Sequence, residues 1–233
     1  MAPARASFNR GTEPATCALT DRPELRARPD RATALAQYRR RAAFYDLELA
    51  AFEPVRVHAL ARLALQPGQT VIDVGCGTGL SFDALQRGVG SGGRVLGIEQ
   101  SPEMLARARE RIERARWTNV ALVQAPTEEA QIPVRADAAL FHFTHDVLRR
   151  ADAIERVLAH LQPGARVVAA GLRWAEAWAW PTNLFVWGAA LYSVTSLEGL
   201  DAPWSLLAER VDALTVETAL FGAAYVACGR VRG

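Results

Sequence analysis

Thr70-Val71-Ile72-Asp73-Val74-Gly75-Cys76-Gly77-Thr78-Gly79 is the stretch whose reading decides the fold. Apolar and β-branched residues run into three glycines separated by single residues, and a helical pattern opens at Leu80. A short buried strand that stops at glycines and restarts as a helix is the entry to a βαβ unit. Glycines let the backbone turn tightly and let a ligand approach where a Cβ would block it. The following helix points unpaired N–H groups at that ligand. Spacing then narrows the ligand class. A dinucleotide loop, G-x-G-x-x-G, needs its last glycine one place later than Gly79, where this chain has Leu80. A Walker loop needs a lysine, and all 27 basic residues are arginine.

The segment Val71 to Gly79 resembles motif I of the class I S-adenosylmethionine-dependent methyltransferases. The resemblance continues through Arg94-Val95-Leu96-Gly97-Ile98-Glu99-Gln100-Ser101, a second strand ending in an acid. It runs on through Asp137-Ala138-Ala139-Leu140-Phe141 and Leu161-Gln162-Pro163-Gly164-Ala165-Arg166-Val167-Val168. These landmarks, in order, cover roughly residues 40 to 171. The resemblance implies an α/β fold: a Rossmann-like, seven-stranded, doubly wound sheet, mostly parallel with an antiparallel C-terminal strand. N-terminal helices and an inserted helical cap complete it.

The implied cofactor is S-adenosyl-L-methionine. Asp73 would hold its ammonium, and Gly75, Cys76, Gly77 and Gly79 would bring backbone close to its methionyl and ribose parts. Glu99 would accept the ribose hydroxyls, with Gln100, Met104 and Phe141 completing the cofactor contacts; for Met104 a core position is the alternative. After strand three, relatives carry an acid that reads adenine. Here the stretch is Gln124-Ala125-Pro126-Thr127-Glu128-Glu129, so the contact falls to the Ala125 backbone, Thr127 or a glutamate.

With 233 residues, half of them hydrophobic, the chain suits one domain over 30–233, preceded by a disordered extension over 1–29 that is rich in Pro, Arg, Ala and Thr. A net charge of +2 does not point to nucleic acid. The exclusive use of arginine together with abundant alanine suggests a GC-rich bacterial coding bias. Cys17, Cys76 and Cys228 lie far apart without a C-x-x-C, which argues against a disulfide framework or zinc site and makes the cytoplasm the default. Cys76 reads as a small loop residue rather than a nucleophile. No run reaches the roughly 18 apolar residues of a membrane span.

Residues 30–66 read as two lid helices, the first carrying Leu35, Tyr38, Ala42, Tyr45 and Leu49 at helical spacing, the second ending at Gln66-Pro67-Gly68. Tyr45 either contacts cofactor or acceptor or fills the helix–sheet interface, and Tyr38 reads as interface. Ser101, Pro102 and Glu103 open a helix as N-cap, first-turn proline and first-turn acid. Its Arg107, Arg111 and Arg114 share a face read as solvated. Strand four ends at Phe141-His142-Phe143-Thr144-His145-Asp146, the edge where open α/β sheets bind ligands. His142 and His145 are therefore candidate general bases, the alternative being that either ring packs or holds the loop. Over 172–210 the chain is unusually aromatic and reads as a cap, with Trp178 and Trp187 as candidate walls of an acceptor pocket. The alternatives are a membrane-dipping surface or the cap's own core. Val211 to Leu220 and Ala223 to Val231 close the sheet as an antiparallel pair.

The expected activity is methyl transfer to an N or O atom of a small, largely apolar molecule. Base- and amide-methylating enzymes carry Asn/Asp-Pro-Pro-Phe/Tyr after strand four, and this chain has Phe141-His142-Phe143-Thr144, which argues against a nucleic-acid partner. Alternatives are a lipid head-group N-methyltransferase with peripheral membrane contact, and a cofactor-binding module without turnover. A nicotinamide-dependent reductase is disfavoured by the glycine spacing.

Overall fold

The computed structural model describes residues 49–176, 178–193 and 196–233. The expected extension over 1–29, the first lid helix, Tyr38 and Tyr45 lie outside the described residues.

Seven strands form one sheet in the order β3-β2-β1-β4-β5-β7-β6. They are β1 (Thr70–Val74), β2 (Arg94–Glu99), β3 (Val120–Gln124), β4 (Ala136–His142), β5 (Leu161–Leu172), β6 (Val211–Ala219) and β7 (Ala224–Val231). Strands β1 to β5 pair in parallel, and β7 runs antiparallel to both β5 and β6. The Rossmann-like, seven-stranded, mostly parallel sheet with an antiparallel C-terminal strand is therefore as the sequence led one to expect. Chain order reverses direction between β1 and β4, the switch point at which such sheets bind ligands.

Both faces are covered, as continuous apolar runs in parallel strands require. Val71, Val95, Ala138, Leu140, Val168 and Val226 bury against α1 (Glu53–Leu63), α2 (Phe82–Val89) and α3 (Pro102–Ala115). The alternate residues Ile72, Val74, Ile98, Ala139, Phe141 and Val167 bury with Leu148 of α4 (His145–Leu148), Ile154 of α5 (Ala151–Leu158) and Leu207 of α7 (Ser205–Ala208). Between β5 and β6 also lies α6 (Trp180–Ser193).

Helix α2 starts at Phe82, two residues later than the pattern suggested, because Gly77 to Ser81 continue as turns. Phe82 is fully buried, and a Cβ at Gly79 or Gly97 would lie 2.6 or 2.8 Å from its ring. These glycines thus make room for the ring that joins the loop to the core. Ser101 caps α3 as expected, accepting from the Met104 N–H at 3.3 Å. The arginine face of α3 is less uniform than anticipated: Arg107 and Arg114 are exposed, but Arg111 Nε donates to the Thr78 carbonyl at 3.1 Å and so braces the glycine loop.

Candidate active site

The glycine loop leaves β1 with Gly75, Gly77 and Gly79 at φ +64°, +55° and +78°, a region that suits glycine. A Cβ at Gly75 would sit 2.5 Å from Thr144 Cγ2, so the loop after β1 and the loop after β4 touch there. The Cys76 N–H extends the sheet by donating to Ile98 C=O at 3.0 Å, and its thiol is buried and pushed well up by that burial. Burial holds it as a neutral small residue, the role read from sequence.

Glu99 ends β2 with its carboxylate gripped by backbone. Oε2 accepts from the Gly77 N–H at 3.2 Å and Oε1 from the Ser101 N–H at 2.8 Å. Burial raises its pKa above the usual range, and the N–H groups of Ser101, Gly77 and Gln100 oppose that rise. A carboxylate has about four lone-pair sites, so it can still accept from hydroxyl groups.

Alternation along β1 and β4 places Asp73 and His142 on the same face as α1, since Asp73 pairs in register with Leu140. Asp73 Oδ2, His142 Nε2 and Thr144 Oγ1 are all buried without a hydrogen-bond partner. Such atoms are costly unless something fills the space beside them. Arg56 of α1 reaches the same region: its Nη1 donates to Leu80 C=O at 2.6 Å, and its charge acts on both Asp73 and His142. Burial, opposed by Arg56 and reinforced by Glu99, pushes Asp73 up to about 7, and burial with Arg56 lowers His142 to about 3.

His145 is only 7% exposed. Its Nε2 lies 2.9 Å from the Glu198 carbonyl, which can only accept, so the proton sits on Nε2 and Nδ1 carries a lone pair. That Nδ1 is buried and unpartnered. Burial lowers the ring to about 4, with Glu198 and Ser196 backbone raising it and Arg149 lowering it further. A small cavity opens beside it, lined by Phe143, His145, Ala170, Gly171, Leu172, Leu200 and Tyr225. Trp204 packs on the Tyr225 ring at 4.9 Å, and burial raises that phenol so that it stays protonated. Phe143 adopts φ +55°, a conformation costing about 1–2 kcal/mol for a non-glycine residue. Its N–H is held by Ala170 C=O at 2.7 Å and its ring lies 5.0 Å from Phe52.

The structure places the remaining candidate residues as follows. Trp178 and Trp187 are 82% and 48% exposed and do not line this cavity. On α6 the inward positions are Val186 and Ala190, and Trp187 is on the other side. Leu200 and Tyr225 line the cavity instead. Phe141 is fully buried in the core with Ile154, and Met104 is likewise buried. The Ala125 N–H donates to Glu99 C=O at 3.1 Å, extending the β2–β3 ladder. Gln100 is half-buried beside Glu99. Arg56, Thr144 and Tyr225 are the site residues that sequence reasoning missed. Among the described residues, no group of three or more His, Cys, Asp or Glu is placed to hold a metal ion.

A doubly wound sheet with a glycine loop after β1 and a backbone-gripped acid after β2 defines a class I methyltransferase fold. Residues 71–164 match the family model of a methyltransferase domain, and that match, together with the fold, supports a class I S-adenosylmethionine-dependent methyltransferase. It is 32% identical over 108 residues to an arsenite methyltransferase of Halobacterium salinarum, covering 45% of this chain and 27% of that one. It is 36% identical over 109 residues to a trans-aconitate 2-methyltransferase of Delftia acidovorans, covering 45% and 38%. The chain thus spans about a third of the length of the curated relatives it matches, with 32%, 27% and 38% for three of them. The N-methyltransferase NodS of Bradyrhizobium japonicum WM9, solved with S-adenosyl-l-homocysteine, shares the fold at TM-score 0.61 and 19% identity, covering 86% of this chain and 99% of that one.

The residues present fit the cofactor of that class. Asp73 Oδ2 lacks the donor that an ammonium would supply, and Glu99 retains acceptor sites for ribose hydroxyls. Proton linkage gives a test. The native state holds the Asp73 proton up to about pH 7, against an ordinary value of 3.8, so its contribution to stability is fully present below about pH 4. That contribution is lost as pH rises through about 7. A bound ammonium favours the carboxylate instead, so cofactor affinity should rise with pH through the same window. Calorimetry in buffers of different ionisation enthalpy should detect proton release near pH 6 and little near pH 8.5. Absence of proton release at both would contradict the role of Asp73.

Proposed function

We propose that this chain transfers a methyl group from S-adenosylmethionine to an N or O atom of a small, largely apolar molecule. The observation that carries this reading is the adjacency of two sites: Gly75 of the glycine loop touches Thr144, and the apolar cavity opens at the very next residue, His145. The cofactor supplies an activated sulfonium methyl, so the protein's work is alignment and exclusion of water. Asp73, the glycine loop and Glu99 would hold it. Apolar walls from Phe143, Leu172 and Leu200 would take the acceptor and keep water out. The lone pair on His145 Nδ1 would accept a hydrogen bond from an O–H or N–H of that acceptor and take its proton as the methyl arrives, and His142 would remain neutral beside Arg56. The lid assigned to residues 30–66 and the cap assigned to 172–210 belong to the same proposal.

Should His145 act as a base, His145→Gln lowers turnover by roughly 10²–10⁴-fold while cofactor binding persists. Because burial holds the ring near 4, the wild-type rate should show no inflection near pH 6.5 from this residue. A loss under about threefold in His145→Gln would leave alignment alone as its task. Incubation of the protein with methyl-labelled cofactor and a fractionated extract tests the activity itself: label entering an organic-soluble small molecule supports the reading, and none in any fraction opposes it.

The second reading is methylation of a lipid head group. Trp180, Leu184 and Trp187 stand at 69%, 61% and 48% exposure on one side of α6, which carries no charged residue. Aromatic side chains of this kind favour a membrane interface. Among the described residues no helix is long and apolar enough to cross a membrane. Flotation with liposomes separates the readings: vesicle binding with label in lipid favours the second, and activity on a soluble acceptor without vesicle binding favours the first.

A further inference from the structure

Arg56 lies outside the matched methyltransferase domain, on the first turn of α1, yet it stands at the mouth of the glycine loop. Its side chain is only 15% exposed. Nη1 is fixed by Leu80 C=O at 2.6 Å, while Nε and Nη2 face the carboxylate of Glu53 at 2.8 and 2.5 Å. Glu53 is itself half exposed, at 49%. An exposed partner held by a neighbouring turn gives a weak pair, screened by water. The guanidinium fork is therefore anchored at one end and exchangeable at the other. Asp73 and His142, with Oδ2 and Nε2 buried and unpartnered, lie on the α1 face of the sheet, near enough for the Arg56 charge to act on both. A guanidinium and a carboxyl group that an ammonium would ionise, both beside the glycine loop, are the counterpart of a zwitterion: an α-amino acid.

We propose that Arg56 is the carboxylate-binding residue of this site, exchanging Glu53 for the α-carboxylate of the cofactor's methionyl part while Asp73 takes the ammonium. This rests on the cofactor reading given above. A planar guanidinium matches a carboxylate through two parallel hydrogen bonds. The Leu80 anchor sets the fork at the loop, and Glu53 keeps it paired until a ligand carboxylate arrives.

The test compares two probes by calorimetry. S-adenosylhomocysteine carries the amino-acid part, and 5′-methylthioadenosine keeps the nucleoside but lacks the α-amino and α-carboxyl groups. Arg56→Gln should weaken S-adenosylhomocysteine binding by roughly 10–100-fold, the usual result of losing a charge-assisted bond. It should leave 5′-methylthioadenosine affinity within about twofold. Retained binding of that second probe also shows that the variant is folded. Arg56→Lys should recover part of the loss, since it keeps the charge without the fork. Glu53→Gln should leave S-adenosylhomocysteine affinity equal or higher. Equal losses for both probes would mean that Arg56 only braces the loop through Leu80, and no loss for either would mean that it holds nothing; either result overturns the proposal while the cofactor reading stands. Failure of the wild type to bind either probe would overturn the cofactor reading and this proposal with it.

Discussion

Gly75→Ala is expected to abolish cofactor binding. The new Cβ would meet Thr144 Cγ2 at 2.5 Å, a distance at which the Thr144 side chain or one of the two loops must shift. Residue 75 would also be held at φ +64°, which costs a non-glycine residue about 1–2 kcal/mol. Thr144→Ser removes the opposing methyl, so the double variant should recover most of the clash term and none of the backbone term. In a domain of this size, each kcal/mol corresponds to roughly 2–4 °C in Tm. Gly75→Ala should therefore melt several degrees low, with the double variant intermediate. Equal melting temperatures and affinities for the two variants would show that the loops do not meet as described.

Glu99→Ala is expected to weaken cofactor binding by about 1–3 kcal/mol, or roughly 5–150-fold, the range for losing charge-assisted hydrogen bonds in a buried site. Two effects act together. The ribose hydroxyls lose their acceptor, and the N–H groups of Gly77 and Ser101 lose the carboxylate that orients them. The variant also loses a buried carboxyl group that resists ionisation, so the apo protein need not be less stable. A fall in affinity without a matching fall in Tm is therefore the signature. A change under about twofold by calorimetry would remove Glu99 from the binding site.

Those two residues were legible in the sequence because their signals are local. The apolar run into spaced glycines and the acid ending the next strand are both set by residues close along the chain, and the sheet order follows from the same βαβ pattern. The antiparallel pair Val211–Ala219 and Ala224–Val231 was legible from alternation alone. Other residues gain their place only from distant contacts. Arg56 meets Leu80 across 24 residues, and His145 meets Glu198 across 53. Tyr225 reaches the cavity because β7 pairs with β5 in a register that sets it opposite Gly171. Nothing in the local pattern announces such pairings. Trp187 shows the converse: aromatic composition marks a segment as unusual but does not say which side of a helix faces inward. Phe141 makes the same point on a strand, where one step of alternation turned its ring into the core and left His142 on the α1 face.

The central claim is that the loop at Gly75 to Gly79 and Glu99 bind S-adenosylmethionine. Titration calorimetry of the wild-type chain with S-adenosylhomocysteine, run beside NAD(H), tests it most directly. The account predicts one-to-one binding of S-adenosylhomocysteine, absent in Gly75→Ala and weakened in Glu99→Ala, with no heat from NAD(H). Binding of NAD(H) with none of S-adenosylhomocysteine, or equal affinities in the wild type and both variants, would contradict it.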